Sequence, residues 1–212
     1  MTKYSFRCTF LGNPSHPARM PSPTSRFVRT IAVTLPLLAS APLAAQPAPA
    51  PKTGVVNTTA NGFTVVHTVR ISAAPARVYE ALTTQAGKWW NPDHTYSKNA
   101  ENLSMAAKAG GCFCETLPNG GSVEHMRVVM VMPNRLLRLD GGLGPLQSLG
   151  VGAHMTWEFA ADGNATKLTM TYIVGGYMDG GLDKMSAPVS GMLQETIGRL
   201  QRFIETGAPV AK

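Results

Sequence analysis

The chain has 212 residues, of which 44% are hydrophobic, and a formal net charge of +7. Much of this charge lies in residues 1–45, which contain five Lys and Arg residues and no Asp or Glu. Residues 46–212 carry 14 Lys and Arg against 12 Asp and Glu, a net charge of +2. Because no cluster of basic residues remains after position 45, the composition argues against a nucleic-acid partner.

Residues 1–45 have the layout of a secretory signal peptide. Two arginines precede the apolar run 31–45, which is shorter than the roughly 20 residues that a membrane span needs. Small residues then precede Gln46, as at a signal-peptidase site. We therefore expect cleavage after Ala45 and a periplasmic or secreted protein with no membrane span after cleavage. Met20 is an alternative start, and an uncleaved membrane anchor is the alternative interpretation.

The rest of the chain is predicted to form one domain. Residues 46–61 begin with alternating Pro and Ala and are interpreted as a linker. Residues 62–206 are assigned to the domain and residues 207–212 to a tail. A domain of this length is long enough to bury a single hydrophobic core.

The predicted domain begins with a strand, a helix and an aromatic loop. Apolar residues alternate from Phe63 to Ile71, which indicates a strand with His67 on its apolar side. A core histidine is the favoured interpretation, and a catalytic base is the alternative. Pro75 is typical of a first helical turn, and the helix is expected to end near Thr84. Residues 89–96 then form an aromatic-rich loop.

Strands and turns are predicted from Leu103 to Tyr177, followed by a helix over Leu182–Ile204. Apolar residues of this helix recur at steps of three and four and form one stripe. Gly191 and Gly198 are seven residues apart, so they project from nearly the same side. We expect these glycines to leave space for an internal cavity, and close packing on the sheet is the alternative.

Several stretches of the chain resemble one superfamily. They are residues 71–75, 78–82, 89–90, 110–111, 133–137, 156–159 and the terminal helix. Over Val65–Ile204 the chain resembles the SRPBCC superfamily, and it is most similar to the subgroup named after activators of the heat-shock ATPase. The resemblance implies an α+β helix-grip fold, which the birch-pollen allergen and the START lipid-transfer domains share. In this fold a curved antiparallel sheet wraps a long C-terminal helix, and a short helix pair follows the first strand.

The resemblance implies a fold more strongly than a chemistry, because members include lipid carriers, polyketide cyclases, hydrolases and co-chaperones. We expect an exported protein that holds a hydrophobic or amphipathic small molecule, such as a lipid, between the sheet and the last helix. Methionines suit irregular apolar contacts, and aromatic side chains suit the wall and mouth of a cavity. The predicted ligand-binding residues are Trp89, Trp90, Phe113, Met126, Trp157, Met170, Tyr172, Tyr177, Met185 and Met192.

The hairpin around residues 118–121 contains candidate metal ligands. A turn over these residues would pair Cys114 with His125 and place Cys112 on the same face. Two thiolates and an imidazole would suit a zinc ion, but ordinary strand cysteines are favoured, and a redox pair is a third interpretation. A Cys112–Cys114 disulfide would need a local distortion, because strand residues i and i+2 lie about 6.6–6.8 Å apart at Cα. We predict no cofactor.

The other face of this hairpin carries acid–base candidates. The same pairing would place Glu115 opposite Glu124. Alternation does not choose the inward face of the hairpin. We favour Phe113 and Met126 inward with Glu115 at the rim of the cavity, and the alternative is that this face meets solvent. A cyclase- or hydrolase-like enzyme that uses Glu115, His67 or His125 is therefore an alternative to the binding protein. A periplasmic protein-interaction module is another. No nucleotide-binding, metalloprotease or nucleophile-elbow motif occurs in the sequence.

Overall fold

The computed structural model describes residues 53–210. The predicted signal peptide and the start of the predicted linker lie outside the described residues. Eight antiparallel strands form one sheet with the order β1-β2-β8-β7-β6-β5-β4-β3. The strands are β1 (Gly54–Thr59), β2 (Gly62–Ile71), β3 (Leu103–Met105), β4 (Cys112–Thr116), β5 (Ser122–Met132), β6 (Leu136–Asp140), β7 (Gly150–Asp162) and β8 (Ala165–Tyr177).

Three α-helices complete the fold. Two short helices, α1 (Pro75–Thr84) and α2 (Ala86–Trp89), follow β2, and the long helix α3 (Asp183–Thr206) ends the domain. The apolar stripe of α3 is buried at Leu193, Ile197 and Leu200, where it joins a core formed with the inner face of the sheet. This arrangement confirms the predicted helix-grip fold. Within residues 53–210, no helix is both long enough and apolar enough to span a membrane.

Strand β1 corrects the predicted linker. Gly54–Thr59 forms a strand that pairs with β2, so the folded part begins before residue 62. The sequence gives little sign of this strand, which lies at the edge of the sheet. Most of its residues are exposed, so there is no strong apolar alternation to reveal it.

The helix glycines also differ from expectation. Gly191 is exposed, and a Cβ added to either Gly191 or Gly198 would meet no atom within 4 Å. Neither glycine lines a cavity, so the prediction that they leave internal space is wrong. Val189 does line the cavity, and a residue two positions along a helix points to nearly the opposite side.

The β4–β5 hairpin has a longer turn than predicted. The backbone N–H of Leu117 donates to the carbonyl oxygen of Gly121 at 2.8 Å, and Thr116, not Leu117, pairs with Ser122. Asn119 has a φ of 60°, in the left-handed region that Asn tolerates. The extra turn residue shifts the first part of the ladder by one position.

A β-bulge then restores the predicted register. The ladder shifts between Phe113 and Cys114, so that Phe113 still pairs with Met126 and both are buried, as expected. The predicted pairs of Cys114 with His125 and of Glu115 with Glu124 are wrong. These residues lie between the turn and the bulge, where the ladder is shifted by one position. The bulge turns the consecutive residues His125 and Met126 inward, which strict alternation forbids.

His67 lies in the core between β2 and α3. Its Nε2 donates to the carbonyl oxygen of Ser190 at 3.0 Å and lies 3.2 Å from the Ser190 hydroxyl. Burial lowers the pKa of His67 below its ordinary value, although the bond to Ser190 opposes this effect. The native state therefore binds a proton at His67 less readily than the unfolded chain does.

This difference predicts a pH dependence of stability. The free energy of unfolding should fall as the pH drops below the ordinary histidine pKa of about 6.5. In that range His67 binds a proton in the unfolded chain but stays largely unprotonated in the native state. In His67→Gln the decline between about pH 7 and pH 5 should be shallower than in wild type. Urea denaturation at several pH values measures this slope. His154→Gln, which removes an exposed histidine, is the control, and equal slopes in wild type and His67→Gln would contradict the prediction.

Candidate functional site

A cavity of about 520 Å³ lies between the first half of α3 and the end of the sheet formed by β4 and β5. Its remaining walls are the loop after α2 and the connection between β6 and β7. The lining residues are Trp90, Asp93, His94, Thr95, Tyr96, Leu103, Phe113, His125, Leu143, Gly144, Pro145, Leu146, Met185, Pro188, Val189 and Met192. The lining is mainly apolar with a few polar groups, which is typical of a small-molecule site.

A second, much smaller void of about 20 Å³ lies among apolar side chains and shares Trp90, Phe113 and Leu143 with the cavity. A space of this volume holds about one water molecule. Since its walls are apolar, it cannot offer a water the polar partners that it needs. The large cavity is therefore the candidate binding site.

The predicted ligand-binding residues fall into three groups. Trp90, Phe113, Met185 and Met192 line the large cavity, whereas Trp89, Met126 and Trp157 line the small void. Met170 and Tyr172 are fully buried and line neither space, and Tyr177 is 74% exposed. The cavity thus lies nearer to β4 and to the first half of α3 than the sequence pattern indicated.

Tyr172 supports the cavity from behind one wall. Its hydroxyl accepts from the backbone N–H of Leu143 at 2.9 Å and lies 3.3 Å from the carbonyl oxygen of Gly141. Burial raises the pKa of Tyr172 to about 12, although the bond from Leu143 opposes the effect. The neutral hydroxyl therefore fixes the start of the 143–146 wall.

A row of aromatic rings forms one side of the cavity. Ring centroids lie 5.2 Å apart for Trp90 and Phe113, 5.3 Å for Phe113 and His125, and 5.9 Å for His125 and Tyr96. The His125 and Tyr96 rings are stacked, with an angle of 21° between their planes. These contacts hold the His125 imidazole in an apolar wall.

Glu115 binds the aromatic loop to the sheet. Its carboxylate accepts hydrogen bonds from the backbone N–H groups of Tyr96 and Ser97 and from Nε2 of His125, the last at 2.9 Å. Glu115 is 1% exposed, and it does not line the cavity. Burial alone would raise the pKa of Glu115, but the bonds from Ser97, Tyr96 and His125 outweigh it and lower the pKa below its ordinary value. The group is therefore an ionised carboxylate near neutral pH.

The ionised carboxylate decides which nitrogen of His125 carries the proton. A carboxylate only accepts hydrogen bonds, so Nε2 must donate, and in the neutral ring Nδ1 then has a free lone pair. No described residue hydrogen-bonds this Nδ1, yet every fully enclosed side-chain nitrogen and oxygen in residues 53–210 has a partner. Nδ1 is therefore not fully enclosed, and His125 is one of the residues that line the cavity.

A second carboxylate–imidazole pair lies at the mouth of the cavity. Glu195 on α3 binds Nε2 of His94 at 3.1 Å and accepts from the side-chain amide of Asn91 at 2.7 Å. Burial would raise the pKa of Glu195, but His94, Asn91 and Arg199 together lower it. Arg199 also donates from Nε to the carbonyl oxygen of Trp89 at 2.9 Å. These bonds attach the aromatic loop to α3.

The two cysteines form a disulfide, which corrects the metal hypothesis. Cys112 and Cys114 are 5.4 Å apart at Cα, shorter than regular strand spacing, so β4 has the local distortion that the sequence analysis required for this bond. Their sulfurs are bonded to each other and cannot bind zinc as thiolates, and His125 faces Glu115. Among the described residues, no group of three or more His, Cys, Asp or Glu side chains is placed to hold a metal ion.

Several site residues were missed from sequence. His94 and Tyr96 lie in the aromatic-rich loop and Ser97 directly follows it, but nothing in the local pattern indicated that Glu115 would bind this backbone. Glu195 lies on the polar side of the α3 pattern. Its partners are about 100 residues away in the chain, so no local spacing could reveal them.

Known proteins place the chain in a family. The sequence model described as "Activator of Hsp90 ATPase homolog 1-like protein" matches residues 72–205. Among solved structures, the conserved protein of unknown function EF2215 from Enterococcus faecalis is 15% identical, with 72% of this chain and 75% of that chain covered and a TM-score of 0.49. CalU16 from Micromonospora echinospora is 15% identical, with 73% and 84% covered and a TM-score of 0.47.

The Aha1 dimer from Colwellia psychrerythraea is 21% identical, with 68% of this chain and 97% of that chain covered and a TM-score of 0.46. No curated protein matches this sequence. The family match covers most of the described domain. The structural similarities are too weak to support an argument about function.

The disulfide gives a prediction about thiol chemistry. Cys112 and Cys114 should resist alkylation by iodoacetamide until a dithiol reductant is added, because neither has a free thiol. In Cys114→Ser, Cys112 should be alkylated without reduction. Peptide mapping by mass spectrometry measures both modifications. Because the closed loop is very short, the double serine variant should lose only about 1–2 kcal/mol of unfolding free energy. Alkylation of both wild-type cysteines without reductant would contradict the disulfide.

Proposed function

We propose that this chain, which belongs to the activator of Hsp90 ATPase homolog 1-like family, binds a hydrophobic or amphipathic small molecule in the cavity beside α3. The cavity of about 520 Å³ is the observation that carries the proposal. Its volume lies within the range of about 300–1,000 Å³ that is typical of small-molecule sites. Family membership supports binding or cyclase-like chemistry in general terms and does not select a ligand.

The lining indicates an apolar ligand with a polar end. Leu103, Leu146 and Val189 offer aliphatic contacts, and Met185 and Met192 are flexible enough to fit an irregular shape. Removing apolar surface from water contributes roughly 25 cal/mol per Å². The polar groups lie on the side of the aromatic loop and His125, so they would orient one end of the molecule.

We also propose that the protein acts in the periplasm or outside the cell. The signal-like leader supports this location, and so does the Cys112–Cys114 disulfide, because disulfides persist in oxidising compartments and are rare in the cytosol. An exported binding protein would meet apolar molecules that enter from outside or pass between membranes.

Filling the cavity should weaken binding. Met185 lines the cavity from the first turns of α3, so Met185→Trp should lower the affinity for the amphipathic dye anilinonaphthalene sulfonate by about tenfold or more. Gly191→Trp is the matched control, because Gly191 lies on the same helix but faces open space. Dye fluorescence measures both affinities. Equal affinities of wild type and Met185→Trp, with both folded, would show that the dye binds elsewhere.

A further inference from the structure

We propose that His125 is a general base inside the cavity and that Glu115 is its positioning residue. The geometry points to a substrate that is apolar over most of its surface and carries one acidic C–H group, such as an enolisable carbonyl compound. This inference rests on the proposed function, because the molecule must occupy the cavity before His125 can act on it.

The first support is the direction of the His125 ring. Glu115 accepts the Nε2 proton at 2.9 Å, and the lone pair of Nδ1 is left on the accessible side of the ring. When Nδ1 takes a proton, the ring becomes a cation whose other N–H already donates to a carboxylate. The pair therefore stabilises the protonated product of the transfer without moving a charged group.

The second support is the rigidity of the pair. Glu115 also accepts from the backbone of Tyr96 and Ser97, so it cannot turn away from His125 without breaking these two part-buried hydrogen bonds. The His125 ring contacts the rings of Phe113 and Tyr96. A base held in this way can be aimed at one bond of a bound molecule.

The third support is the apolar environment. A base works best on a weakly acidic C–H group when water is excluded, because electrostatic interactions are stronger at low dielectric. The other titratable groups that line the cavity are Asp93, His94 with its partner Glu195, and Tyr96. All three lining groups are exposed, at the side of the aromatic loop, whereas His125 is 6% exposed. His125 is thus the base placed deepest in the apolar wall.

A carbon acid with a chromogenic product tests the base without knowledge of the natural substrate. In nitrobenzisoxazole, a base removes the ring C–H proton. The C–H electron pair forms the third bond of a nitrile, while the N–O bond breaks and its electron pair leaves on a phenolate oxygen. Here the proton would pass to Nδ1 of His125 and then to water, so no oxidant, reductant or cofactor is needed.

We expect the full chain to open nitrobenzisoxazole faster than buffer alone, with saturation at high probe concentration. His125→Gln should lose about 100-fold of the rate above buffer, because a positioned base contributes roughly 10²–10⁴-fold. His154→Gln removes an exposed histidine that also faces a carboxylate, Asp140 at 3.3 Å, and should keep the wild-type rate. Urea denaturation of each variant shows that the fold is retained.

Glu115→Gln separates positioning from simple structural support. Gln keeps one acceptor oxygen, which can bond only one of the two loop N–H groups, and it cannot stabilise a protonated imidazole by charge. The acidic limb of the pH–rate profile should therefore move to lower pH, and the maximal rate should fall by about tenfold or more. A purely structural role would change the amount of folded protein without moving the profile.

Displacement of anilinonaphthalene sulfonate by nitrobenzisoxazole is measured first, because it separates the two proposals. If the dye neither binds in the cavity nor is displaced, the binding function itself is wrong and the general base has no substrate site. If the probe displaces the dye but opens no faster than in buffer, or opens equally fast with folded His125→Gln, the general base is overturned and the binding function stands.

Discussion

The buried carboxylate of Glu115 joins the parts of the candidate site. Its oxygens accept from the backbone of Tyr96 and Ser97 and from the imidazole of His125, which come from two separate segments of the chain. A buried carboxylate without partners would cost several kcal/mol, so the aromatic loop and β5 are held together wherever Glu115 is ionised. The same contacts fix the ring of His125 against the cavity. One side chain therefore sets both the shape of the wall and the chemistry that it presents.

The β-bulge makes this interaction geometrically accessible. In a regular ladder, consecutive residues of β5 point to opposite faces, and His125 could not face inward together with Met126. The bulge turns both inward, and the Cys112–Cys114 disulfide crosslinks the residues on either side of Phe113, where the register shifts. A covalent bond thus lies next to the irregularity that places His125 beside Glu115. Strand irregularities of this kind commonly re-aim side chains near functional sites.

The fold could be predicted from the sequence, but most of the site could not. Helix α3 and the long strands follow from apolar periodicity, which reports burial directly. Trp90, Phe113, Met185 and Met192 line the cavity and were selected as aromatic or flexible apolar residues. The Glu115–His125 pair was missed although both residues were candidates, because a turn with one extra residue and a compensating bulge changed the register. Tyr172 was predicted to line the cavity, but it lies behind the wall, where its hydroxyl accepts a hydrogen bond from the backbone of Leu143.

The most direct test of this account is the tautomer of His125, measured by NMR correlation of the ring nitrogens with the ring protons. The measurement is made at a pH where the imidazole is neutral, with and without phenol, a weaker apolar acid that keeps its O–H proton at that pH. We predict that Nε2 carries the proton, that Nδ1 does not, and that only the Nδ1 signal shifts strongly when the phenol binds. A proton on Nδ1, or an Nδ1 signal that is unchanged by a phenol bound in the cavity, would contradict the account.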